Sequence, residues 1–322
     1  MEEKFKIRYR RLGIATIIAV FFLIFVGGLV RSTGSGMGCP DWPKCFGQFV
    51  PPTDISELPE DYKTRFAVAG KEIADFDVFK TWTEYLNRLV GVSIGLLIFL
   101  TLVFSFPYLK STKPYIFYLS LLAFLLVAFQ GWIGARVVAT DLAVWMITIH
   151  MLLALVIVGL LIYTTTQSQE FVISLTAKDG MLRKLVYLGL ILSLIQTVSG
   201  TQVRESIDHI ALMIDNRSEW INHMKPVFYV HRSLSILSMG VAFLLFYRIR
   251  KISFHHQLLY KSSLALILLM CTQAFSGAIL ANLGFPGSFQ SIHLTLGSLT
   301  AGLQLFIAIL LLTKTELIKE TT

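Results

Sequence analysis

Charge is what this 322-residue chain has least of: Asp, Glu, Lys and Arg make up 15% of it, where a soluble domain carries about 25%. That scarcity excludes an ordinary water-soluble fold. Recognisable nucleotide chemistry is missing too. There is no Walker loop, no dinucleotide fingerprint and no Ser-His-Asp set, so phosphate cradling and serine hydrolysis are set aside. Cysteine is nearly absent, at three residues. The first apolar run follows a basic start (Lys4, Lys6, Arg8, Arg10, Arg11) that mimics a signal peptide. No small-residue cleavage site comes after it, so the sequence predicts a retained helix.

What is present is apolar surface, 55% of residues. Eight runs stand out, near 13–30, 86–106, 115–135, 142–163, 185–203, 227–247, 259–280 and 290–312. Each is long enough to cross a hydrocarbon core of about 30 Å. Lys and Arg gather in the N-terminal segment and in the short stretches 107–114, 164–184 and 248–258, while acidic residues gather on the opposite side. With positive charge inside, this predicts a multi-pass protein of the cell membrane with both termini cytoplasmic. The formal net charge of +8 is then a matter of topology and contact with membrane lipid. A nucleic-acid partner is not implied.

The second half repeats the first. Asn87-Arg88 opens one apolar run, and His231-Arg232 opens another 144 residues later. His150 and His293 stand 143 residues apart, as do Gln130-x3-Gly134-Ala135 and Gln273-x3-Gly277-Ala278. A third Gln-x3-Gly occurs at Gln196 and Gly200. These glycines read first as close helix packing. The fold expected is an all-α membrane protein with eight transmembrane helices in two pseudo-repeated four-helix bundles, 1–166 and 167–322. The first bundle carries the longest outer loop, 31–84, with Cys39 and Cys45; the equivalent loop, 204–226, has no cysteine. In an oxidising outer compartment that pair is expected to form a disulfide, and Cys271, inside a span, is expected to be a buried thiol. All five tryptophans fall near the outer boundary, as in an aromatic belt.

Spans two, four, six and eight run in one direction. Asn87, His150, His231 and His293 therefore lie at similar depth, towards the outer side. A single intramembrane histidine is often a neutral imidazole bonded to a neighbouring helix. Two at matching depth on duplicated helices point to a metal. Paired imidazoles across a bundle suit a haem iron; zinc would want further Cys or carboxylate ligands. Arg88 and Arg232 each follow a key position. They could meet haem propionates or anchor a helix end by snorkelling. Glu84 shares a helix face with Asn87, and its counterpart is Phe228, so this carboxylate belongs to one site only. It could move protons, or it could be an interfacial carboxylate wetted by the loop. His209, His223, His255 and His256 are expected to be solvated loop residues.

Together these features make the chain resemble the haem A synthase family. The resemblance rests on eight spans in two halves, the turn Arg31–Cys39 (RSTGSGMGC) with Cys45, Glu84-Tyr-Leu-Asn-Arg88, His150, His231-Arg232 and His293. It implies a resident haem b between His231 and His293, with Arg232 on a propionate. It implies haem O as substrate in the first bundle, bound through His150, Asn87 and Arg88 beside a catalytic Glu84. The implied reaction oxidises a ring methyl to a formyl group, and the implied partners are haem O synthase and terminal-oxidase assembly factors. Family members commonly carry histidine where this chain has Asn87, which leaves the substrate iron a weak or absent ligand on that side. Two rival classes share the helices and histidines: a non-catalytic dihaem cytochrome b for electron transfer, and a haem transporter or chaperone.

Overall fold

The structure is a computed structural model, and it describes residues 2–170, 172–175, 180–252 and 257–317. Eight long helices match the eight apolar runs: α1 (Glu2–Ser32), α3 (Val78–Ser105), α4 (Tyr115–Ala139), α5 (Val144–Gln167), α6 (Gly180–Ala211), α7 (Pro226–Ile252), α8 (Gln257–Asn282) and α9 (Gly287–Thr313). All eight are long and apolar enough to cross a membrane. In hydrocarbon every backbone N–H and C=O needs an internal partner, and a helix supplies one along its whole length. The short helix α2 (Tyr62–Arg65) lies in the outer loop. Strands β1 (Ile173–Leu175) and β2 (Thr315–Leu317) form a small parallel pair.

The chain forms two compact units, Met1–Leu161 and Ile162–Thr322. The division falls inside α5, a few residues before the boundary read from the sequence. In the first unit α3 packs between α1 and α4. Small hydroxyls draw the helices together: Thr16 and Thr101 share a hydrogen bond of 3.1 Å, as do Tyr9 and Ser120. The first apolar run is thus built into the unit by polar contacts along its length. A tight turn joins α4 to α5, with Asp141 and Leu142 in left-handed conformation (φ 51° and 57°).

In the second unit each helix touches two neighbours, α6 with α7, α7 with α8, α8 with α9 and α9 with α6. That closes a four-helix bundle. Its apolar core includes Leu185, Leu245, Ile249, Leu266, Ile307 and Leu310. Phe228, Trp220 and Phe285 form a separate cluster. Many large apolar side chains are exposed on the spans, among them Phe22, Val92, Leu125, Ile236 and Phe275. Lipid is as apolar as these residues, so their exposure carries no penalty in a membrane.

Several details depart from the sequence reading. Helix α3 starts at Val78, capped by the Asp77 carboxylate, which accepts from Lys80 N at 3.0 Å. The last residues of the expected outer loop are therefore helical. His209 lies in the last turn of α6 rather than in a loop, and His223 ends a 3₁₀ turn, Arg217–His223. His255 and His256 lie outside the described residues. Cys271 is exposed on α8, not buried. Trp220 is buried, donating its indole N–H to Ile214 O at 2.8 Å, so it does not belong to an outward belt.

Candidate functional site

His231 lies two turns into α7 and His293 two turns into α9, and their ring centroids are 6.4 Å apart. Opposite each ring stands a glycine. A Cβ added at Gly200 on α6 would come within 3.5 Å of His231 Cε1, and one at Gly277 on α8 within 3.2 Å of His293 Cε1. At Gly277 the approach is tighter than an ordinary Cβ contact, so this glycine makes room for its imidazole, whereas at Gly200 a methyl would meet the ring at ordinary van der Waals distance.

The residue before each glycine is a serine. Ser199 Oγ lies 2.8 Å from His231 Nδ1, and Ser276 Oγ lies 2.8 Å from His293 Nδ1. Each serine also donates its own proton to a helix carbonyl, Ser199 to Gln196 O at 3.2 Å and Ser276 to Gln273 O at 2.8 Å. A hydroxyl has one proton to give. With that proton on the carbonyl, the serine oxygen accepts from Nδ1–H. The neutral imidazole then carries its lone pair on Nε2. The glutamine of each motif holds backbone or helix: Gln196 Nε2 donates to His231 O at 3.2 Å, and Gln273 Oε1 accepts from Thr300 on α9 at 3.2 Å.

Two imidazoles with free Nε2 lone pairs suit the axial positions of a haem iron. A metal held about 2 Å from a nitrogen of each ring would leave the centroids roughly 6 Å apart, in agreement with the spacing observed. Among the described residues no three His, Cys, Asp or Glu side chains converge as a metal cluster. A closed zinc centre is therefore not built there, and the donor set fits haem. Arg232 follows His231, exposed, with its guanidinium over the rings of Phe228 and Tyr229 at 6.0 and 5.6 Å.

The first unit repeats this arrangement with substitutions. Gly134 on α4 stands against His150 on α5, its added Cβ 3.4 Å from Cε1; Gly27 on α1 stands against Asn87 on α3, its added Cβ 4.0 Å from Oδ1. Gln130 Nε2 donates to His150 O at 2.9 Å. The residues before the glycines are Val26 and Ile133 in place of serine. Asn87 Oδ1 and His150 Nδ1 thus have no serine to meet, and these two atoms and Gln130 Oε1 are buried without a hydrogen-bond partner among the described residues. Buried polar atoms are ordinarily paired. Three unpaired ones around the Asn87 and His150 positions suit a site whose ligand brings partners with it.

Beside Asn87 lies a second device. Cys39 and Cys45 form a disulfide, as the sequence predicts. Glu84 is buried, 4% exposed, where one alternative reading had it wetted by the loop. Its Oε2 accepts from Cys39 N at 2.8 Å, and its Oε1 pairs with Arg88 Nη2 at 2.5 Å. Arg88 donates further to Cys39 O (2.7 Å), Asp41 O (2.7 Å) and Lys44 O (2.9 Å). Its two terminal nitrogens thus clasp the disulfide loop, a role that neither the propionate nor the snorkelling reading anticipated. Gly38 permits the approach, since an added Cβ would strike the Lys80 carbonyl. In the second unit Phe228 is buried at the position matching Glu84.

Residues 10–305 match the COX15-CtaA family, described as "Cytochrome oxidase assembly protein". A protein of Shewanella oneidensis named "Heme A synthase" is 29% identical over 168 residues, 52% of this chain and 48% of that protein. One of Shouchella clausii with the same name is 32% identical over 130 residues, 40% and 35% of the two chains. One of Pelagibacter ubique, also so named, is 31% identical over 176 residues, 49% and 50%. The matched stretches span about half the length of these relatives or less.

Proposed function

The chain belongs to the COX15-CtaA family of cytochrome oxidase assembly proteins, and from that premise we propose that it is a haem A synthase. It oxidises one ring methyl of haem O to a formyl group and delivers haem A towards a terminal oxidase. Two successive hydroxylations, each a two-electron oxidation that draws its oxygen and its electron acceptor from outside the chain, give a geminal diol that loses water to leave the aldehyde. The observation that carries this reading is the asymmetric duplication. One unit has two imidazoles with Nε2 free, while the other sets an imidazole against an amide, beside a buried carboxylate and a disulfide loop.

In this reading His231 and His293 hold a resident haem b, and Arg232 reaches a propionate. When bound, that haem supplies one-electron transfer. The first unit, residues 1–166 with outer loop 31–84, takes haem O through His150, with Asn87 facing the opposite side of the macrocycle. Arg88 keeps the loop closed over this region and steers a propionate of the bound substrate. Glu84 would hold negative charge near the carbon being oxidised and so stabilise positive charge as it develops there. The protein crosses the cell membrane with both termini cytoplasmic, so the disulfide loop faces the oxidising side. Haem O synthase upstream and terminal-oxidase assembly factors downstream are its partners.

Pigment analysis tests the reading. Cells supplied with haem O should make haem A only when the chain is present. Haem b in the purified protein with no haem A formed would instead favour an electron-carrying cytochrome.

A further inference from the structure

The two units differ at one small position that the proposed function does not use. Where a histidine of the second unit faces its glycine, the residue before that glycine is a serine bonded to the ring. In the first unit the same positions are Val26 and Ile133, and neither can accept a hydrogen bond. We propose that Ser199 and Ser276 are positioning residues that make the second unit a haem-retaining site, and that Val26 and Ile133 make the first a haem-exchanging one. This rests on the haem reading above and adds to it the physical difference between cofactor and substrate sites.

Each serine O–H is taken by the carbonyl three residues back, Gln196 O or Gln273 O. Its oxygen is therefore an acceptor for Nδ1–H. That bond sets the tautomer, aims Nε2 and holds the ring in one rotation. It also makes Nε2 a stronger donor, because a proton partly withdrawn at Nδ1 leaves more electron density on the ring. Partners of this kind commonly alter metal affinity by about 10–100-fold when removed. Both axial imidazoles of the second unit have one. In the first unit His150 Nδ1 is buried and unpaired, and Asn87 offers no imidazole at all. Here ring tautomer and tilt have no fixed partner, so ligation is weaker and more readily reversed. A resident cofactor must survive many turnovers, whereas a product must leave after each. The distribution of serine matches that requirement.

The test uses the purified full-length chain loaded with haem b. Haem loss is followed by transfer to excess apomyoglobin, and the haem midpoint potential is measured by spectroelectrochemistry. The Ser199→Ala, Ser276→Ala double variant should lose haem b about 10–100-fold faster. Its midpoint potential should rise, because a weaker nitrogen donor stabilises ferric iron less. Ser199→Thr and Ser276→Thr, which keep a hydroxyl, should restore both readouts. In the other unit Ile133→Ser should slow release of bound haem O. Wild-type retention and potential in the alanine variants would overturn the proposal. So would threonine variants that stay as leaky as alanine, since packing and not the hydroxyl would then be responsible. His231→Ala and His293→Ala separate the two levels. If these lose haem b while the serine variants do not, only the inference fails; if these keep it, the haem assignment itself fails.

Discussion

Glu84 and Arg88, one helical turn apart on α3, form a buried ion pair with N···O of 2.5 Å, and each also binds the backbone of Cys39. The pair ties a membrane helix to the disulfide loop at the depth where Asn87 enters the first unit. A surface i,i+4 pair is worth a few tenths of a kcal/mol. This one is shielded, and its remaining valences are filled by loop carbonyls and an amide, which is what a buried pair requires.

Glu84→Gln should abolish turnover and leave assembly intact. The amide keeps the shape and one acceptor but removes the charge. Haem A formation is expected to fall by about 10²-fold or more, with haem O or a hydroxylated intermediate accumulating, while the resident haem spectrum is unchanged. Chromatography of extracted haems checks this. Haem A at the normal rate would reduce Glu84 to a brace for the loop.

Arg88→Ala should loosen the loop and strand the Glu84 charge. Removing one partner of a buried pair costs about 3–5 kcal/mol. The expected signature is local: faster reduction of Cys39–Cys45 by added dithiothreitol and faster proteolysis within 31–77, with haem b in the second unit undisturbed. Arg88→Lys should rescue poorly, because one ammonium cannot reproduce a fork that reaches three carbonyls and a carboxylate.

Either His231→Ala or His293→Ala should remove the low-spin spectrum of the resident haem, as a bis-imidazole iron loses one axial ligand. Absorption spectroscopy of the purified variants reads the result directly. A low-spin signal that survives in both would sink the assignment.

Gly277→Ala should disturb that same spectrum more than Gly200→Ala. The added methyl carbon would sit 3.2 Å from His293 Cε1 in one case and 3.5 Å from His231 Cε1 in the other. The tighter contact must tilt the ring or shift α8. Equal, wild-type spectra in both variants would show that the glycines serve helix packing only.

Thiol labelling with mass spectrometry should find Cys39 and Cys45 blocked until the protein is reduced, and Cys271 free throughout. Two labelled thiols at 39 and 45 in the oxidised, folded chain would contradict the bond. Replacing the pair with serine should destabilise the loop by on the order of 2 kcal/mol, seen as the same local proteolysis as Arg88→Ala.

The spans and their number were legible in the sequence. Hydrocarbon forces each crossing to be a continuous apolar helix, and that constraint is local in the chain. The repeat brought His150, His231 and His293 to notice because equal spacing needs no knowledge of packing. The cysteine pair was legible for the same reason, lying six residues apart in one loop. Tertiary structure alone decided the rest. Whether Cys271 faces inward cannot be read from composition, since lipid receives apolar side chains as readily as a core does. Trp220 is buried because Phe285, far along the chain, packs against it. Arg88 reaches carbonyls 44, 47 and 49 residues away, a relationship with no periodic signature. Ser199 stands 32 residues from His231, and nothing in a Gln-x2-Ser-Gly string says that its hydroxyl meets an imidazole. Hydrophobic periodicity determines which segments become helices; the rotation and contact of those helices determine which polar atoms find partners and which remain available to a ligand.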